Sequence, residues 1–231
     1  MNPAQVWCAV SAYVIAMTVL SVSLAHHIHR SIVWPAEYDN ARDPQQRQHW
    51  QAGDLLIMAN DKGNSIAINL FSSVPWTHIG ILIPVDGVWF LWHSDSTDTR
   101  LDATACDAPR HTGVQLTPLD YLLATTESVA HRIPQPPGLR VPHVPALAEQ
   151  VMRECNRGRR VPFDSWKPRL LAVALSSDPK NTWTWLGGSP PENAYFCSAF
   201  VAEMYRRWGW DMDGASTPYA FHPKHFLKYI R

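Results

Sequence analysis

The sequence has no surplus of charge of either sign, with 20 Lys and Arg residues against 20 Asp and Glu residues among its 231 positions. Chains that bind nucleic acid through phosphate contacts usually carry a basic surplus, so this balance argues against a nucleic acid partner. Pairs of the Cys-x-x-Cys type are also missing, because the four cysteines are scattered: Cys8, Cys106, Cys155 and Cys197. Their spacing indicates neither a zinc motif nor a dense disulfide framework.

Other ligand-binding patterns are lacking as well. No Gly-rich phosphate loop is present, and the acidic stretch 95–107 has no Gly at the middle position that a calcium-binding loop needs. His222 and His225 lie three residues apart but outside the HExxH pattern of zinc enzymes. A cluster of three histidines within 26–29 is typical of a polar patch that borders an apolar segment. We therefore predict that the protein binds no metal and needs no cofactor.

Charge is also absent from residues 6–25, a run of predominantly apolar residues. About 20 residues of helix span about 30 Å, the thickness of the hydrocarbon core of a bilayer. We favour a single-pass transmembrane anchor, because the run is longer than the core of a typical signal peptide and no basic residue precedes it. The alternative is a signal peptide cleaved after Ser23-Leu24-Ala25, which would give a secreted or periplasmic protein. With arginines only after the segment, the positive-inside rule puts the C-terminal domain on the cytoplasmic side.

The pattern of apolar residues predicts three regions and an α+β fold. Residues 1–25 are the anchor, 26–50 are a polar linker, and 51–231 form one domain whose opening Asp54 is interpreted as a turn residue. Short apolar runs predict a sheet of about five antiparallel strands. The strands are expected at 55–59, 76–83, 88–94, 114–116 and 128–133. The helices are expected at 64–73, 118–124 and 146–156, within 167–186, and from Cys197 onward.

The stretch YFCSAFVAEMY, from Tyr195, is the centre of the functional argument. Phe200, Val201, Met204 and Trp208 recur at helical spacing, which predicts a helix with one apolar face. Cys197 then lies at its first turn, where unpaired N–H groups and the helix dipole favour a thiolate. A buried structural cysteine is the alternative interpretation.

Two histidines lie on a predicted hairpin upstream of that cysteine. His78 lies near the start of one strand, the Asp86-Gly87 pair predicts a tight turn, and His93 lies near the end of the partner strand. A Cys with a His base and a third polar group that orients the His is the arrangement that activates a thiol. If both histidines point to one face of the sheet, His93 can reach His78. The competing third groups are Asp95 and, after a one-residue slip of register, Ser94. A further alternative is that His93 is a buried polar group without a role in turnover.

Five segments together resemble the permuted papain-like cysteine hydrolases, circularly permuted relatives of the NlpC-type cell-wall amidases. This group includes the YiiX-like bacterial proteins and, more distantly, lecithin-retinol acyltransferase. The segments are GDLLI from Gly53, WTHIGIL from Trp76, LWHSD from Leu91, VPFDSW from Val161 and YFCSAFV from Tyr195. In this group the catalytic His precedes the Cys, as His78 precedes Cys197 here. Many relatives carry Glu where this chain has His93, although His is the usual third member in the unpermuted enzymes.

The resemblance implies a permuted papain-like fold, in which the nucleophile helix packs against a curved antiparallel sheet. It implies a membrane-anchored thiol hydrolase that cleaves an amide or peptide bond through Cys197, His78 and His93 and a thioacyl-enzyme intermediate. The substrate is expected to be a peptide or a lipid-like acyl compound, and the N-terminal helix provides the contact with the membrane. A lipid ester or amide hydrolase or an acyltransferase is the first alternative. A non-catalytic, membrane-tethered binding module is the second.

Overall fold

A computed structural model describes part of the chain. The described residues are 36–59, 76–96, 113–126, 129–136, 138–143, 145–147, 149–150, 153, 194–211, 214–215 and 217–229. The predicted anchor at 6–25, the helix at 64–73 and the helical stretch within 167–186 lie outside these residues, as do most of the loop 95–107 and much of the helix 146–156. Among the helices in the described ranges, none combines the length and the apolar character needed to cross a bilayer.

Within the described residues, five strands form one antiparallel sheet in the order β4-β3-β2-β1-β5. The strands are β1 Leu55–Ala59, β2 Trp76–Val85, β3 Val88–Asp95, β4 Gly113–Pro118 and β5 Val129–Ile133. Helix α1, Leu119–Thr125, follows β4, and helix α2, Cys197–Arg207, follows at a distance in the chain. Short 3-10 helices cover Ala36–Arg42, Gln46–His49, Pro218–Ala220 and Pro223–Tyr229. The predicted α+β class with an antiparallel sheet is confirmed at this level.

Strands β2 and β3 form the predicted hairpin. Val85 pairs with Val88, so the loop contains only Asp86 and Gly87, with φ values of 49° and 81°. A two-residue loop with positive φ at both positions matches the right-handed twist of the strands that it joins, and Asp-Gly adopts it at low cost. This turn fixes the register, and therefore which side chains of β3 share a face with those of β2.

The two faces of the sheet bury different sets of side chains. On one face, Ile79 and Ile81 of β2 and Trp92 of β3 pack against α2, where the rings of Trp92 and Phe200 lie 4.9 Å apart. On the other face, Leu82 and Leu91 pack against α1. Successive side chains of a strand point to opposite faces of the sheet, and this alternation produces the division. His78 and His93 have the same parity as Leu82 and Leu91, so they project from the α1 face.

Residues 39–50, which the sequence interpretation placed in a polar linker, pack against the sheet. The side chains of Asp39 and Asn40 accept hydrogen bonds from the backbone N–H groups of Ala130 and Arg132 in β5, at 2.9 and 2.8 Å. Ala41 and Trp50 are buried on the α1 face. The packed domain therefore includes residues before position 51.

Asp54 is a structural residue, as the turn interpretation implied. Its carboxylate is 1% exposed and accepts hydrogen bonds from the side chain of Arg132 and from the backbone N–H groups of Gln51 and Gln135. A buried charge with this many donors is compensated, whereas the same charge without them would strongly destabilise the fold. The contact joins the start of β1 to β5.

Candidate active site

The start of α2 lies at the open end of the β2–β3 hairpin, away from the Asp86-Gly87 turn. Ile81 pairs with Trp92, and both strands continue beyond this pair. The hydroxyl of Ser94 donates to the carbonyl oxygen of Tyr195 at 2.6 Å, and the thiol of Cys197 donates to the carbonyl oxygen of Thr77 at 3.8 Å. The beginning of α2 is thus held between the ends of the two strands.

A bulge in β2 adjusts the backbone at this point. Met58 of β1 pairs with His78, but the next residue, Ala59, pairs with Trp76, so the register shifts by one residue at Thr77. An extra residue of this kind bends a strand and redirects its side chains. The bulge lies directly beside His78. It includes Thr77, whose carbonyl group contacts Cys197.

The structure places His93 against His78. Nε2 of His78 and Nδ1 of His93 are 2.7 Å apart, a hydrogen-bond distance, and the two rings meet edge to face. His93 is fully buried, and its other nitrogen, Nε2, lies 3.0 Å from Oγ1 of Thr117 on β4. His93 is therefore held at both ring nitrogens, and it reaches His78 from the same face of the sheet.

Gly80 makes this close approach possible. Gly80 lies on β2 beside β3. A Cβ atom added there would come within 2.7 Å of the Leu91 side chain and 2.9 Å of the Cβ of His93. Distances below 3.0 Å between such atoms require something to move. Gly at position 80 thus lets the His93 side chain lie against β2 and reach His78.

Cys197 is the first residue of α2, as predicted, and its thiol is buried. Burial raises the pKa of this thiol to about 12, and the nearby charge of Asp95 acts in the same direction. Backbone hydrogen bonds to Ile79, Ser198 and Cys197 itself oppose the increase without cancelling it. The prediction of a lowered thiol pKa is therefore wrong for the resting protein, because loss of solvent outweighs the favourable position at the helix start.

The two histidines are shifted in the opposite direction. Burial lowers the pKa of His78, and the charge of Asp95 only partly opposes this. Burial also lowers the pKa of His93, and the neighbouring His78 adds to the decrease. Both imidazoles are consequently neutral at neutral pH, as is the thiol. The resting site contains three uncharged groups rather than a thiolate and an imidazolium.

Asp95 is the charged group of the site. Its Oδ2 lies 4.0 Å from Nδ1 of His93, which is beyond hydrogen-bond distance, and it influences the pKa of His78, His93 and Cys197. The ligand atoms of His78, His93 and Asp95 lie within 4.8 Å of one another, so this set could in principle hold a cation. The hydrogen bond between the two imidazoles occupies one nitrogen of each ring, and Thr117 contacts the second nitrogen of His93.

The other histidine pair has backbone partners. Nδ1 of His225 accepts from the N–H of His222 at 3.0 Å, and Nδ1 of His222 accepts from the N–H of Lys224 at 3.2 Å. The adjacent carbonyl oxygen of Phe221 accepts from the hydroxyl of Ser198 at 2.6 Å. The C-terminal segment is thus tied to the first turn of α2, beside Cys197.

Sequence reasoning missed three side chains that support the site. Thr117 contacts His93, Ser94 holds Tyr195, and Ser198 holds Phe221. Thr117 falls just beyond the strand predicted at 114–116, and no local pattern indicates that it faces His93. The sequence indicates Ser94 only as a replacement for His93 after a slip of register. The hydrogen bond from Ser198 depends on a segment more than twenty residues away.

Comparison with known proteins adds no relative to this description. A scan of the chain against protein-family models finds no match, and a search of the curated proteins finds none either.

Proposed function

We propose that the chain is a membrane-anchored thiol hydrolase with a permuted papain-like fold that cleaves an amide or peptide bond. The observation that supports this best is the position of Cys197, whose thiol lies against the backbone on both sides of His78. Nε2 of His78 is bound to Nδ1 of His93 at 2.7 Å. A candidate nucleophile, a candidate base and a candidate group to orient that base thus lie on neighbouring elements, although they come from distant parts of the chain.

Proton transfer begins from neutral groups. Nε2 of His78 is bound to His93, so Nδ1 is the nitrogen that accepts the thiol proton. Because the pKa of Cys197 is raised, the proton leaves as Sγ attacks the carbonyl carbon, and no thiolate accumulates beforehand. The imidazolium formed on His78 then donates its Nε2 proton towards Nδ1 of His93, which holds the ring in place.

The remaining steps follow from the same groups. Attack forms the S–C bond and moves the carbonyl electron pair onto oxygen, where the backbone N–H of Cys197 can stabilise it. This N–H belongs to the uncapped first turn of α2. His78 gives its proton to the leaving amine as the C–N bond breaks, which leaves a thioacyl-enzyme. A water molecule deprotonated by His78 then hydrolyses the thioester and regenerates the thiol.

The substrate class follows from two sequence features. The family resemblance favours a peptide amide, whereas the apolar segment at 6–25 favours a substrate close to a membrane. Hydrolysis of a lipid ester or amide, or acyl transfer from it, is the alternative that this second feature supports. The same thioacyl chemistry serves both classes.

The test uses full-length protein with panels of peptide amides and acyl esters. Cys197→Ala and His78→Gln should each reduce turnover by at least about a hundredfold, since base catalysis alone contributes about 10²–10⁴ in rate. Cys106→Ala and His143→Gln are matched controls that change the same residue types elsewhere and should retain activity. Mass spectrometry of rapidly quenched protein should find the acyl group on Cys197. Undiminished turnover by the Cys197→Ala protein would overturn the proposal, and failure to turn over any substrate would favour a binding module.

A further inference from the structure

Three side chains of the kinds that bind transition metals lie on one face of the β2–β3 hairpin. His93 and Asp95 are two residues apart on β3, so the alternation of the strand points both to the same side. Nε2 of His78, on β2, lies 2.7 Å from Nδ1 of His93, and Oδ2 of Asp95 lies 4.0 Å from the same Nδ1. The three ligand atoms all fall within 4.8 Å of one another. The hairpin therefore gathers two imidazoles and one carboxylate at its open end.

These separations are close to those around a bound metal ion. Ligand atoms that lie about 2.0–2.2 Å from a tetrahedral zinc ion are about 3.3–3.6 Å from one another. The two ring nitrogens are nearer than this, at 2.7 Å, and the carboxylate is farther from His93, at 4.0 Å. Shifts of about 0.6 Å in the two separations would reach coordination distance. His78 is half-buried and the side chain of Asp95 is 22% exposed, so both have room to move against the buried ring of His93.

The donor atoms select the class of cation. Two imidazole nitrogens and one carboxylate suit zinc and the neighbouring divalent transition metals, whereas calcium and magnesium prefer oxygen ligands. Three protein ligands leave at least one coordination position for water. The set that meets the distance condition contains no sulfur, because Cys197 is not part of it. The expectation that the protein binds no metal rests on local sequence motifs, and ligands divided between two strands form no such motif.

His93 also has the outer contact that a metal-bound imidazole needs. A cation on Nδ1 leaves the one proton of the neutral ring on Nε2, and this N–H must then donate a hydrogen bond. Oγ1 of Thr117 lies 3.0 Å from Nε2. A hydroxyl can donate or accept, so Thr117 does not fix the position of the proton by itself, but it can accept the bond that a bound cation would impose.

We propose that His78, His93 and Asp95 bind a divalent transition metal ion of the zinc class, and that occupation of this site reversibly inhibits the hydrolase. The inhibition rests on the proposed function, whereas the binding of the ion does not. The ion takes the place of the hydrogen bond between Nε2 of His78 and Nδ1 of His93. The proton of the His78 ring then lies on Nδ1, so neither nitrogen of that ring can accept another proton. No proton is gained or lost overall, and removal of the ion restores the resting pair.

Binding is measured on full-length protein, by calorimetry with Zn²⁺. All proteins carry the substitutions that remove the histidine cluster beside the apolar segment: His26→Gln, His27→Gln and His29→Gln. Asp95→Asn should weaken binding by more than about tenfold, because even the loss of an outer contact to a metal site costs about 10–100-fold in affinity. Asp86→Asn is the matched control at the exposed, closed end of the same hairpin, and it should leave the affinity unchanged because Asn-Gly also favours this turn.

Two further measurements locate the ion and its effect. Cys197→Ala should bind Zn²⁺ with unchanged affinity, since the thiol is not a ligand of the site. In proteins labelled with ¹⁵N-histidine, Zn²⁺ should shift the ring-nitrogen signals of His78 and His93, which are assigned by the signals lost in His78→Gln and His93→Gln. Zn²⁺ should also lower kcat, and EDTA should restore it. Asp95→Asn should keep its own turnover at Zn²⁺ concentrations that inhibit the protein with Asp95.

The outcomes separate the two proposals. Unchanged affinity in Asp95→Asn, or loss of binding in Cys197→Ala, would overturn the metal site. If Asp95→Asn does not fold, as judged by circular dichroism, the histidine signals decide, and signals that Zn²⁺ leaves unmoved would overturn it. Binding at these residues without loss of turnover would refute the inhibition. Turnover that requires Zn²⁺ and persists in Cys197→Ala would support the metal site and refute the thiol mechanism.

Discussion

The state of the Cys197 thiol can be measured through its reaction with iodoacetamide. Only the thiolate reacts, and burial raises the pKa of this thiol from 9.0 to about 12. At pH 8 a thiol with a pKa of 9 is about one tenth ionised, whereas one with a pKa of 12 is ionised in about one molecule in ten thousand. The difference of three pKa units, from 9 to 12, predicts alkylation of Cys197 about a thousandfold slower than that of an ordinary cysteine.

The assay follows modification of the Cys197 peptide by mass spectrometry between pH 6 and about pH 11. We expect the rate to rise about tenfold per pH unit without a plateau, and denatured protein to react like an ordinary thiol. His78→Gln should leave the profile nearly unchanged, because His78 does not hold the thiol proton at rest. A plateau below about pH 8 that disappears in His78→Gln would refute the burial argument, since it would reveal a preformed thiolate–imidazolium pair.

Unfolding measurements provide a second readout of the same shift. The raised pKa means that the folded protein keeps the thiol proton while the unfolded chain loses it above pH 9. Stability is therefore unaffected by this group below pH 9 and decreases as pH rises towards 12, by up to about 4 kcal/mol. The free energy of unfolding of the wild-type protein, taken relative to that of Cys197→Ala, should decrease by this order over the same interval. A constant difference would contradict the shift.

Two further predictions concern positions outside the reacting groups. Gly80→Ala should destabilise the fold by about 1–3 kcal/mol and lower kcat. The new Cβ would need about 0.5 Å more room to lie 3.4 Å from the Cβ of His93, which strains the contact between His93 and His78. An unchanged melting temperature and unchanged turnover would contradict the proposed close approach. Full-length protein should remain with membranes after an alkaline carbonate wash, and a variant lacking about the first thirty residues should not; a mature protein that begins at His26 would instead indicate a cleaved signal peptide.

The elements closest to the site were predictable because local signals determine them. Asp86-Gly87 specifies a two-residue turn, and the apolar runs beside it specify strands, so the register that puts His93 on the same face as His78 follows from the sequence. The helix that begins at Cys197 follows from the 3.6-residue spacing of its apolar residues. These signals involve residues that are near one another in the chain.

Other features depend on contacts between distant segments, which the sequence pattern does not reveal. The sign of the Cys197 pKa shift depends on how fully α2 is buried against the hairpin, and the local argument from the helix dipole points the other way. Thr117 reaches His93 only because β4 pairs with β3. The polar stretch at 39–50 resembles a linker by composition, yet its side chains match backbone groups of β5.

The hydrogen bonds between the 39–50 segment and β5 have a consequence for the behaviour of the protein at high concentration. β5 is the last of the described strands in the sheet order, and an uncovered edge strand can recruit a strand from another molecule and start aggregation. Asp39 and Asn40 occupy the N–H groups of Ala130 and Arg132, two alternate positions that would otherwise face outward. An incoming strand would have to displace both side chains before it could pair. These two short polar residues therefore protect the sheet from edge-to-edge self-association at β5.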